Sequence, residues 1–223
     1  MIEDMPKLEC PFIRKEVNGD YLITPEITPG FEWVFEEDGV WVEEKLHGTN
    51  VSIYIQNGVI TGVFNRTERI PFFNHGKKHI IDGLLNSYER GMIDLLPDGQ
   101  HFGECIGPKI NGNPYKLKEH LWVPFDTFTK KHLSYKSWGK YPKTFESIEE
   151  WMKTLMPLYY LMIHGSEEHD ATCEGSMCYC KQRREKLDTF GFVEGIVFKH
   201  PDGRLAKIRK DMYPWFKGTR HKE

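Results

Sequence analysis

A lysine between two strand-like runs is the first residue whose surroundings suggest covalent chemistry. Lys45 ends a run rich in Trp, Val and Phe, Gly48 follows three residues later, and an alternating run begins at Val51. An amine attacks only in its neutral form, so an enzyme that uses lysine must desolvate it or place other cations nearby. Gly48 permits a turn or a close backbone approach to a phosphate. Lys-x-x-Gly also occurs at Lys109 and Lys136, so a surface lysine beside a turn is the alternative.

A second feature with chemical potential is a pair of cations near the C-terminus. Lys207 and Arg209 lie two residues apart in a predicted strand, so both side chains point to one face. Such a pair stabilises negative charge that develops on a phosphate, or protects a strand edge from aggregation. From residue 181 onward the net charge is +6, against −9 for the rest. This asymmetry favours a polyanionic ligand, with a solvated basic tail as the alternative.

Cysteines and histidines crowd one polar segment. Cys173, Cys178 and Cys180 follow His164 and His169, and thiolates with imidazoles suit Zn²⁺. The Cys-x₄-Cys-x-Cys spacing matches no common zinc motif, so free thiols in a loop are the alternative to a zinc site.

The overall composition indicates a globular protein. Of the 223 residues, 39% are hydrophobic and 28% are charged, and no apolar stretch is long enough for a membrane span. The N-terminus has no apolar run typical of a secretory signal, and five cysteines argue against a complete disulfide framework. We therefore expect a cytoplasmic protein, or a viral protein that acts in a host cytosol, with no membrane partner.

Strands and helices alternate irregularly along the chain. Asn57-Gly58 between the alternating runs 51–56 and 59–64 predicts a hairpin, and 191–199 with 204–209 predicts a second one. Strands are also predicted at 31–46, 101–106 and 121–128. Helices are predicted at 79–90, where Gly91 is the stop, and from a Thr144 cap to about residue 156. This mixture predicts an α+β fold with mainly antiparallel sheets.

Six short segments together resemble the motifs of the covalent nucleotidyltransferases, in the order expected for that superfamily. They are Glu-Lys-Leu-His-Gly-Thr-Asn at 44–50, Asn-Arg-Thr at 65–67, Phe-Gly-Glu-Cys-Ile-Gly at 102–107, Phe-Asp-Thr-Phe at 125–128, Glu-Gly-Ile-Val-Phe-Lys at 194–199 and Lys-Ile-Arg at 207–209. The His-Gly-Thr-Asn turn is similar to that of phage RNA ligases that seal nicked duplexes. DNA ligases and capping enzymes usually have Asp-Gly at this turn.

The resemblance implies an ATP-dependent RNA ligase. Lys45 would attack the α-phosphate of ATP, AMP would pass to the 5′-phosphate of an RNA end, and a 3′-hydroxyl would displace the AMP. Lys207 and Arg209 would contact the α-phosphate. The family usually has lysine at both positions, and arginine cannot donate a proton in catalysis.

The resemblance also implies the remaining binding residues. Glu194 would hold Mg²⁺ or Mn²⁺, Glu104 the ribose, and Phe125 would stack on adenine. Phe128 is the other candidate for stacking, expected on the opposite side of the same strand. The nucleotide, its phosphates or the terminal ribose would be contacted by Glu44, His47, Gly48, Asn50, Arg66 and Lys199.

The same resemblance implies two twisted antiparallel sheets with a nucleotide cleft between them. We expect a single nucleotidyltransferase domain over 1–223, without a C-terminal barrel or accessory domain. RNA would then be held by Arg183, Arg184 and residues 210–222, or by an accessory RNA-binding partner. The alternatives are a DNA nick ligase, a GTP-dependent capping guanylyltransferase, and an inactive nucleotide- or RNA-binding module.

Overall fold

The computed structural model describes residues 2–73, 75–125, 127–136, 140–164 and 193–220. The chain divides into two compact units. The lysine unit comprises Leu8–Lys45 and His132–Glu223, and the hairpin unit comprises Met1–Lys7 and Leu46–Lys131. The chain leaves the lysine unit at Lys45 itself. That residues 1–223 act as one nucleotidyltransferase domain stays a prediction.

The described residues form mostly short strands and a few helices. The strands are β1 Phe12–Val17, β2 Asp20–Ile27, β3 Trp41–Lys45, β4 Thr49–Gln56, β5 Val59–Asn65, β6 Glu68–Arg69, β7 Gly99–Ile106, β8 Leu121–Pro124, β9 Ser134–Lys136, β10 Gly195–Lys199 and β11 Leu205–Arg209. The helices are α1 Trp33–Glu36, α2 Lys78–Glu89, α3 Thr127–His132, α4 Phe145–Lys153 and α5 Leu158–His164. Short 3₁₀ turns cover His75–Lys77 and Lys210–Met212.

The hairpin unit contains one antiparallel sheet in the order β6-β5-β4-β7-β8. The predicted hairpin between β4 and β5 is confirmed, since Asn57 and Gly58 have φ angles of 52° and 73°. Asp98 accepts hydrogen bonds from both turn amides, at 2.7 and 2.9 Å. This carboxylate therefore fixes the turn, and with it the register of the two strands.

Alternate residues of β4 form the core of the hairpin unit. Val51 and Ile53 are fully buried in one cluster with Ile80 and Leu84 of α2 and with Trp122 of β8. The predicted helix at 79–90 is thus confirmed, and the chain turns at Gly91, whose φ is +70°. One face of α2 covers the sheet because its apolar residues recur at helical spacing.

The lysine unit contains a four-stranded antiparallel sheet in the order β11-β10-β3-β9, and a separate β1-β2 hairpin. The second predicted hairpin, β10-β11, is confirmed. One face of this sheet is apolar, because its alternate residues are fully buried against α4. These residues are Val42, Ile196, Phe198, Ala206 and Ile208. The opposite face carries the charged residues described below.

Helix α4 begins as the sequence predicts, but it ends earlier. The Thr144 side chain caps it by accepting a hydrogen bond from the Ser147 amide, and the Ser147 hydroxyl reciprocates in a capping box. The last helical residue is Lys153, and α5 starts directly after Pro157. Proline is tolerated beside a helix start because it lacks the amide hydrogen that would be unsatisfied there.

Two strand predictions are wrong in part. Residues 31–46 are not one strand, because Trp33–Glu36 form the short helix α1 and a turn at Gly39, with φ of +82°, precedes β3. The strand predicted at 121–128 ends at Pro124, and Phe128 lies on α3. Phe125 and Phe128 therefore do not share a strand, and the expectation that they face its opposite sides is wrong.

The α+β fold with antiparallel sheets is confirmed. The described residues do not include Cys173, Cys178 and Cys180, so the zinc site remains a prediction. They do not include Arg183 and Arg184 either, so the predicted binding of RNA by these arginines remains a prediction. Within the described ranges, no group of three or more His, Cys, Asp or Glu side chains is placed to hold a metal ion. In the same part of the chain, no helix has the length and apolarity that crossing a membrane requires.

Candidate active site

The centre of the lysine unit's charged face is an ion pair between Lys45 and Glu194. Lys45 is the last residue of β3 and pairs with Gly195, the first residue of β10, so Glu194 lies beside it. The Nζ to Oε2 distance is 2.7 Å, and the side chains are 22% and 8% exposed. Only a neutral amine attacks phosphorus, so a nucleophilic role for Lys45 would require its neutral form.

Arg209 lies in the same row of the sheet as Lys45. Lys45 pairs with Gly195, and Gly195 pairs on its other side with Arg209. Residues directly opposite each other in antiparallel strands point to the same face, so Lys45 and Arg209 flank a position without a side chain. A Cβ atom at Gly195 would lie 2.1 Å from the Ile208 carbonyl oxygen, so only glycine fits there. The Arg209 Nε donates to Asp211 Oδ1 at 2.9 Å.

The next row of this face carries a buried ion pair. Glu43 pairs with Val197, which pairs with Lys207, and these residues point the same way as Lys45. Lys199 Nζ lies 2.9 Å from Glu43 Oε2, with side chains only 9% and 2% exposed. Trp41 Nε1 donates to the other Glu43 oxygen at 2.7 Å. Sequence reasoning missed Glu43 and Trp41, although their even spacing from Lys45 in β3 already places them on its face.

Glu44 does not accompany Lys45, because strand alternation turns it to the opposite, buried face. Its Oε2 accepts a hydrogen bond of 2.9 Å from the Tyr159 amide at the start of α5. Burial raises the pKa of Glu44 to about 8, although bonds from the Tyr159 and Leu158 amides and the charge of Lys210 lower it. Burial likewise lowers the pKa of Lys210. The carboxyl group thus accepts a hydrogen bond from the first turn of α5. A nucleotide-binding role for Glu44 stays a prediction.

In the hairpin unit, hydrogen bonds from β7 and from the loop after it hold the turn after the lysine. The Gly48 amide donates to Glu104 Oε1 at 2.9 Å, and Asn111 Nδ2 donates to the Gly48 carbonyl at 2.8 Å. The His47 amide donates to the Tyr115 hydroxyl at 2.8 Å. A Cβ atom at Gly48 would lie 2.3 Å from the carbonyl oxygen of β7 residue 105. Gly48 therefore allows a close approach to β7, while its approach to a phosphate stays a prediction. Asn111 and Tyr115, which sequence reasoning missed, hold this turn.

The other predicted residues of the hairpin unit lie near the same ends of its strands. Asn50 and Glu104 are cross-strand neighbours in β4 and β7, and Glu104 is buried. Asn50 Nδ2 contacts the Gly103 carbonyl at 3.4 Å. Phe125 is half-buried, just beyond β8, where its amide donates to the Phe102 carbonyl at 2.9 Å.

Arg66 occupies the turn between β5 and β6. It is exposed and has a φ of 55°. Because Ser52 pairs with Phe64, the register of β4 and β5 directs Arg66 toward the Asn50 end of β4.

Comparison with known proteins decides the family. The model of the RNA ligase family matches residues 38–219, which span both units. The chain belongs to the RNA ligase family. No curated protein matches it.

Solved structures share the fold of this RNA ligase family member. The Naegleria gruberi RNA ligase with PPi has 16% identity and a TM-score of 0.51, over 95% of this chain and 58% of that chain. A mutant of that ligase with ATP and Mn has 15% identity and a TM-score of 0.50, over 94% of this chain and 61% of that chain. Another mutant, with AMP and Mn, has 16% identity and a TM-score of 0.51, over 94% of this chain and 62% of that chain. This chain thus spans about three fifths of the ligase it matches.

The donor set of this RNA ligase family member fits a hard divalent ion. Glu194 offers a carboxylate, 8% exposed, next to Lys45. Mg²⁺ and Mn²⁺ in phosphoryl-transfer sites use one or two protein carboxylates, with substrate phosphates and waters as the other ligands. The Glu194 carboxylate, beside Lys45 on a sheet face that also carries Lys207 and Arg209, therefore suits a metal-bound triphosphate.

Proposed function

We propose that this chain is an ATP-dependent RNA ligase that forms a covalent lysyl-AMP intermediate on Lys45. The observation that carries the proposal is the Lys45–Glu194 contact of 2.7 Å, on a sheet face that also presents Lys207 and Arg209. Membership of the RNA ligase family supports it. The N. gruberi ligase has been solved with ATP and Mn, with AMP and Mn, and with PPi, the ligands that a nucleotidyl transfer consumes and releases.

In the proposed first step, the neutral amine of Lys45 attacks the α-phosphorus of ATP. The N–P bond forms as the bond to pyrophosphate breaks, and the amine loses its proton. Phosphoryl transfer requires mostly alignment and charge neutralisation. Lys207 and Arg209 supply fixed positive charge on the sheet face. A divalent ion held by Glu194 would add further charge neutralisation at the phosphates.

The hairpin unit is proposed to bind the nucleoside and the leaving group. Glu104, whose Oε1 accepts the Gly48 amide, would accept the ribose hydroxyls, and Phe125 would stack on adenine. The other residues proposed to contact nucleotide, phosphates or terminal ribose are His47, Gly48, Asn50, Arg66 and, from the lysine unit, Lys199.

The two later steps use RNA ends as substrates. AMP passes from Lys45 to a 5′-phosphate, and a 3′-hydroxyl then attacks that phosphate and releases AMP. We propose a nicked duplex as the substrate, because the His47–Asn50 turn resembles that of nick-sealing ligases. We also propose cytoplasmic action, or action in a host cytosol, and an accessory RNA-binding partner.

The decisive experiment is the intact mass of the protein after incubation with Mg²⁺ and ATP, or with GTP. We expect a gain of one AMP with ATP alone, and no gain in Lys45→Ala. Lys15→Ala, which also removes one lysine from the lysine unit, is the matched control and should gain AMP normally. An adduct only with GTP would identify a capping guanylyltransferase. No adduct with either nucleotide, from folded protein freed of bound AMP, would favour a binding module.

A second assay identifies the strand substrate. Adenylated protein is mixed with labelled nicked duplexes whose 5′-phosphate strand and 3′-hydroxyl strand are both RNA or both DNA. We expect a joined product from RNA. A product from DNA alone would identify a DNA nick ligase and contradict the RNA assignment.

A further inference from the structure

Two segments of the hairpin unit concentrate positive charge outside the site described above. Residues 67–79 and 107–120 together contain six lysines and arginines but only two acidic residues, a net charge of +4. The whole chain has a net charge of −3, so the remainder is strongly acidic. The same segments also carry three histidines. A local excess of this size on an acidic protein is typical of an anion-binding surface.

The structure brings basic residues of both segments together. The rings of His79 and His120 lie 5.9 Å apart between centroids, and the Lys109 amide donates to His120 Nε2 at 3.4 Å. The charges of Lys77 and Lys109 act on His79, and those of Lys78 and Lys109 act on His120. We refer to Lys77, Lys78, His79, Lys109 and His120 as the cation cluster.

Electrostatics does not favour the grouping of these basic residues. Burial and the neighbouring cations lower the pKa of both His79 and His120, whereas the facing acid Asp82 raises the pKa of both and also pairs with Lys78. Lys78 and His79 are the first residues of α2, where the positive end of the helix dipole disfavours cations. A bound anion would offset the repulsion among these side chains and at the positive end of the helix dipole.

The loop that carries Lys109 and His120 also holds the turn after Lys45. Asn111 and Tyr115, both between Lys109 and His120, bond to Gly48 and His47. The cluster and the turn therefore belong to one hydrogen-bonded assembly within the hairpin unit. A polyanion bound at the cluster would lie beside the residues that follow Lys45.

We propose that the cation cluster binds the sugar–phosphate backbone of the RNA next to the ends being joined. This inference rests on the proposed ligase function and assigns that function an RNA-docking surface. Lysine and histidine side chains make point-like contacts to phosphates, which position a strand without reading its sequence. In the proposed reaction, Lys207 and Arg209 of the lysine unit neutralise the α-phosphate of ATP. The cation cluster is not needed for that step and can contact the RNA strand.

The test uses the double variant Lys77→Ala/Lys109→Ala and a fluorescently labelled nicked RNA duplex, without ATP, over a series of KCl concentrations. We expect RNA affinity to fall about tenfold at low salt. The slope of log affinity against log salt should fall by about 2, because each of the two lysines neutralises one phosphate. Formation of lysyl-AMP with ATP should be unchanged. The matched control, Lys15→Ala/Lys153→Ala, removes the same charge from exposed positions of the lysine unit and should retain RNA affinity within about twofold.

Each outcome separates this inference from the proposed function. If lysyl-AMP forms but the cluster variant binds RNA normally, or if the control loses as much affinity, the docking surface is wrong and the ligase proposal stands. If the cluster variant loses lysyl-AMP formation, the cluster serves ATP instead and the inference is also wrong. If the unsubstituted protein forms no lysyl-AMP, the ligase proposal fails, and the RNA titration still tests the cluster.

A pH series adds an independent readout for the histidines. A bound phosphate favours protonated imidazoles, so RNA binding by the unsubstituted protein should tighten as pH falls from about 7.5 to about 5.5. His79→Gln/His120→Gln should lack most of that increase. The facing groups Lys77, Lys78, Asp82 and Lys109 remain in the variant. An equal pH response in both proteins would exclude a role for the two imidazoles.

Discussion

At the residue scale, Lys45 is defined by its partner rather than by its local motif. Three Lys-x-x-Gly segments occur in the sequence, and only position 45 lies between two strong predicted strands. The structure adds Glu194, which is 149 residues away in sequence and bonded to Lys45 Nζ. Strand pairing of β3 with β10 creates this contact, and no local pattern around either residue predicts it.

The Lys45–Glu194 contact leads to a prediction for Glu194→Gln. The amide keeps the shape of the side chain but binds a divalent ion poorly and carries no charge. We expect the rate of lysyl-AMP formation, measured in a single turnover by mass or radiolabel, to fall by about 100-fold or more. Glu26→Gln, which removes the partner of Lys15 in an exposed ion pair, is the control. An unchanged rate would mean that Glu194 only holds Lys45 in the resting protein.

At the element scale, the two faces of the lysine unit's sheet separate charged side chains from apolar ones. Residues that alternate along β3, β10 and β11 place apolar side chains on one face and Lys45, Lys199, Lys207 and Arg209 on the other. Glu44 is the exception, since it is a carboxyl group on the buried face. Its contact with the start of α5 makes this element sensitive to pH.

Glu44→Gln should remove a pH dependence of stability. The pKa of Glu44 is about 8 in the folded protein, against a usual 4.5, so between these values the folded state retains a proton that the unfolded state releases. Stability is therefore lost as pH rises from about 4.5 to about 8, by at most about 5 kcal/mol. Urea unfolding at several pH values should show a weaker decline for the variant. Parallel declines in the two proteins would contradict this account.

Gly195→Ala tests the close approach of β10 and β11. The added methyl group would lie 2.1 Å from the Ile208 carbonyl oxygen, so the strands must separate. We expect a loss of about 1–3 kcal/mol in the free energy of unfolding, together with slower lysyl-AMP formation. Gly19→Ala is the control for a glycine with no atom within 4 Å, and strain at its φ of +86° should cost stability without affecting adenylation. Normal adenylation in Gly195→Ala would show that Arg209 need not stay in register.

At the scale of the whole molecule, turn chemistry and strand alternation predict much of the fold. The Asn57-Gly58 hairpin, α2, the start of α4 and the β10-β11 hairpin follow from local patterns. The hairpin of β1 and β2 turns at Asn18-Gly19, so the signal used at residue 57 could have found it too.

Other features could not be predicted from sequence, because they depend on contacts between distant segments. The helix α1 interrupts a run that reads as a strand, since Trp33 and Val34 are buried in the unit's core rather than in the sheet. The contacts of Asn111 and Tyr115 with the turn after Lys45 span 63 and 68 residues. The motif residues were therefore identified through resemblance, and their supporting residues only through the structure.

Cys10 and Cys105, the two cysteines in the described part of the chain, are buried and report on the integrity of each unit. Burial raises the pKa of Cys10 to about 11 and that of Cys105 to about 12, and the two lie in different units. With the other three cysteines replaced by serine, we expect almost no reaction with a thiol reagent at pH 8 in native protein. Two thiols should react after denaturation. Fast reaction of one thiol in the native protein would show that its unit opens readily.

The antiparallel register of β3, β10 and β11 also determines where the chain tolerates a change in length. Hydrogen bonds between strands, rather than the length of the connecting turn, align Lys45, Gly195 and Arg209. Residues inserted at the turn 201–203 leave this alignment intact. A single residue inserted within β10 instead moves every later side chain of that strand to the opposite face. We therefore expect that an affinity tag or reporter domain can be inserted at this turn. An insertion within β10 or β11 would instead disrupt the register.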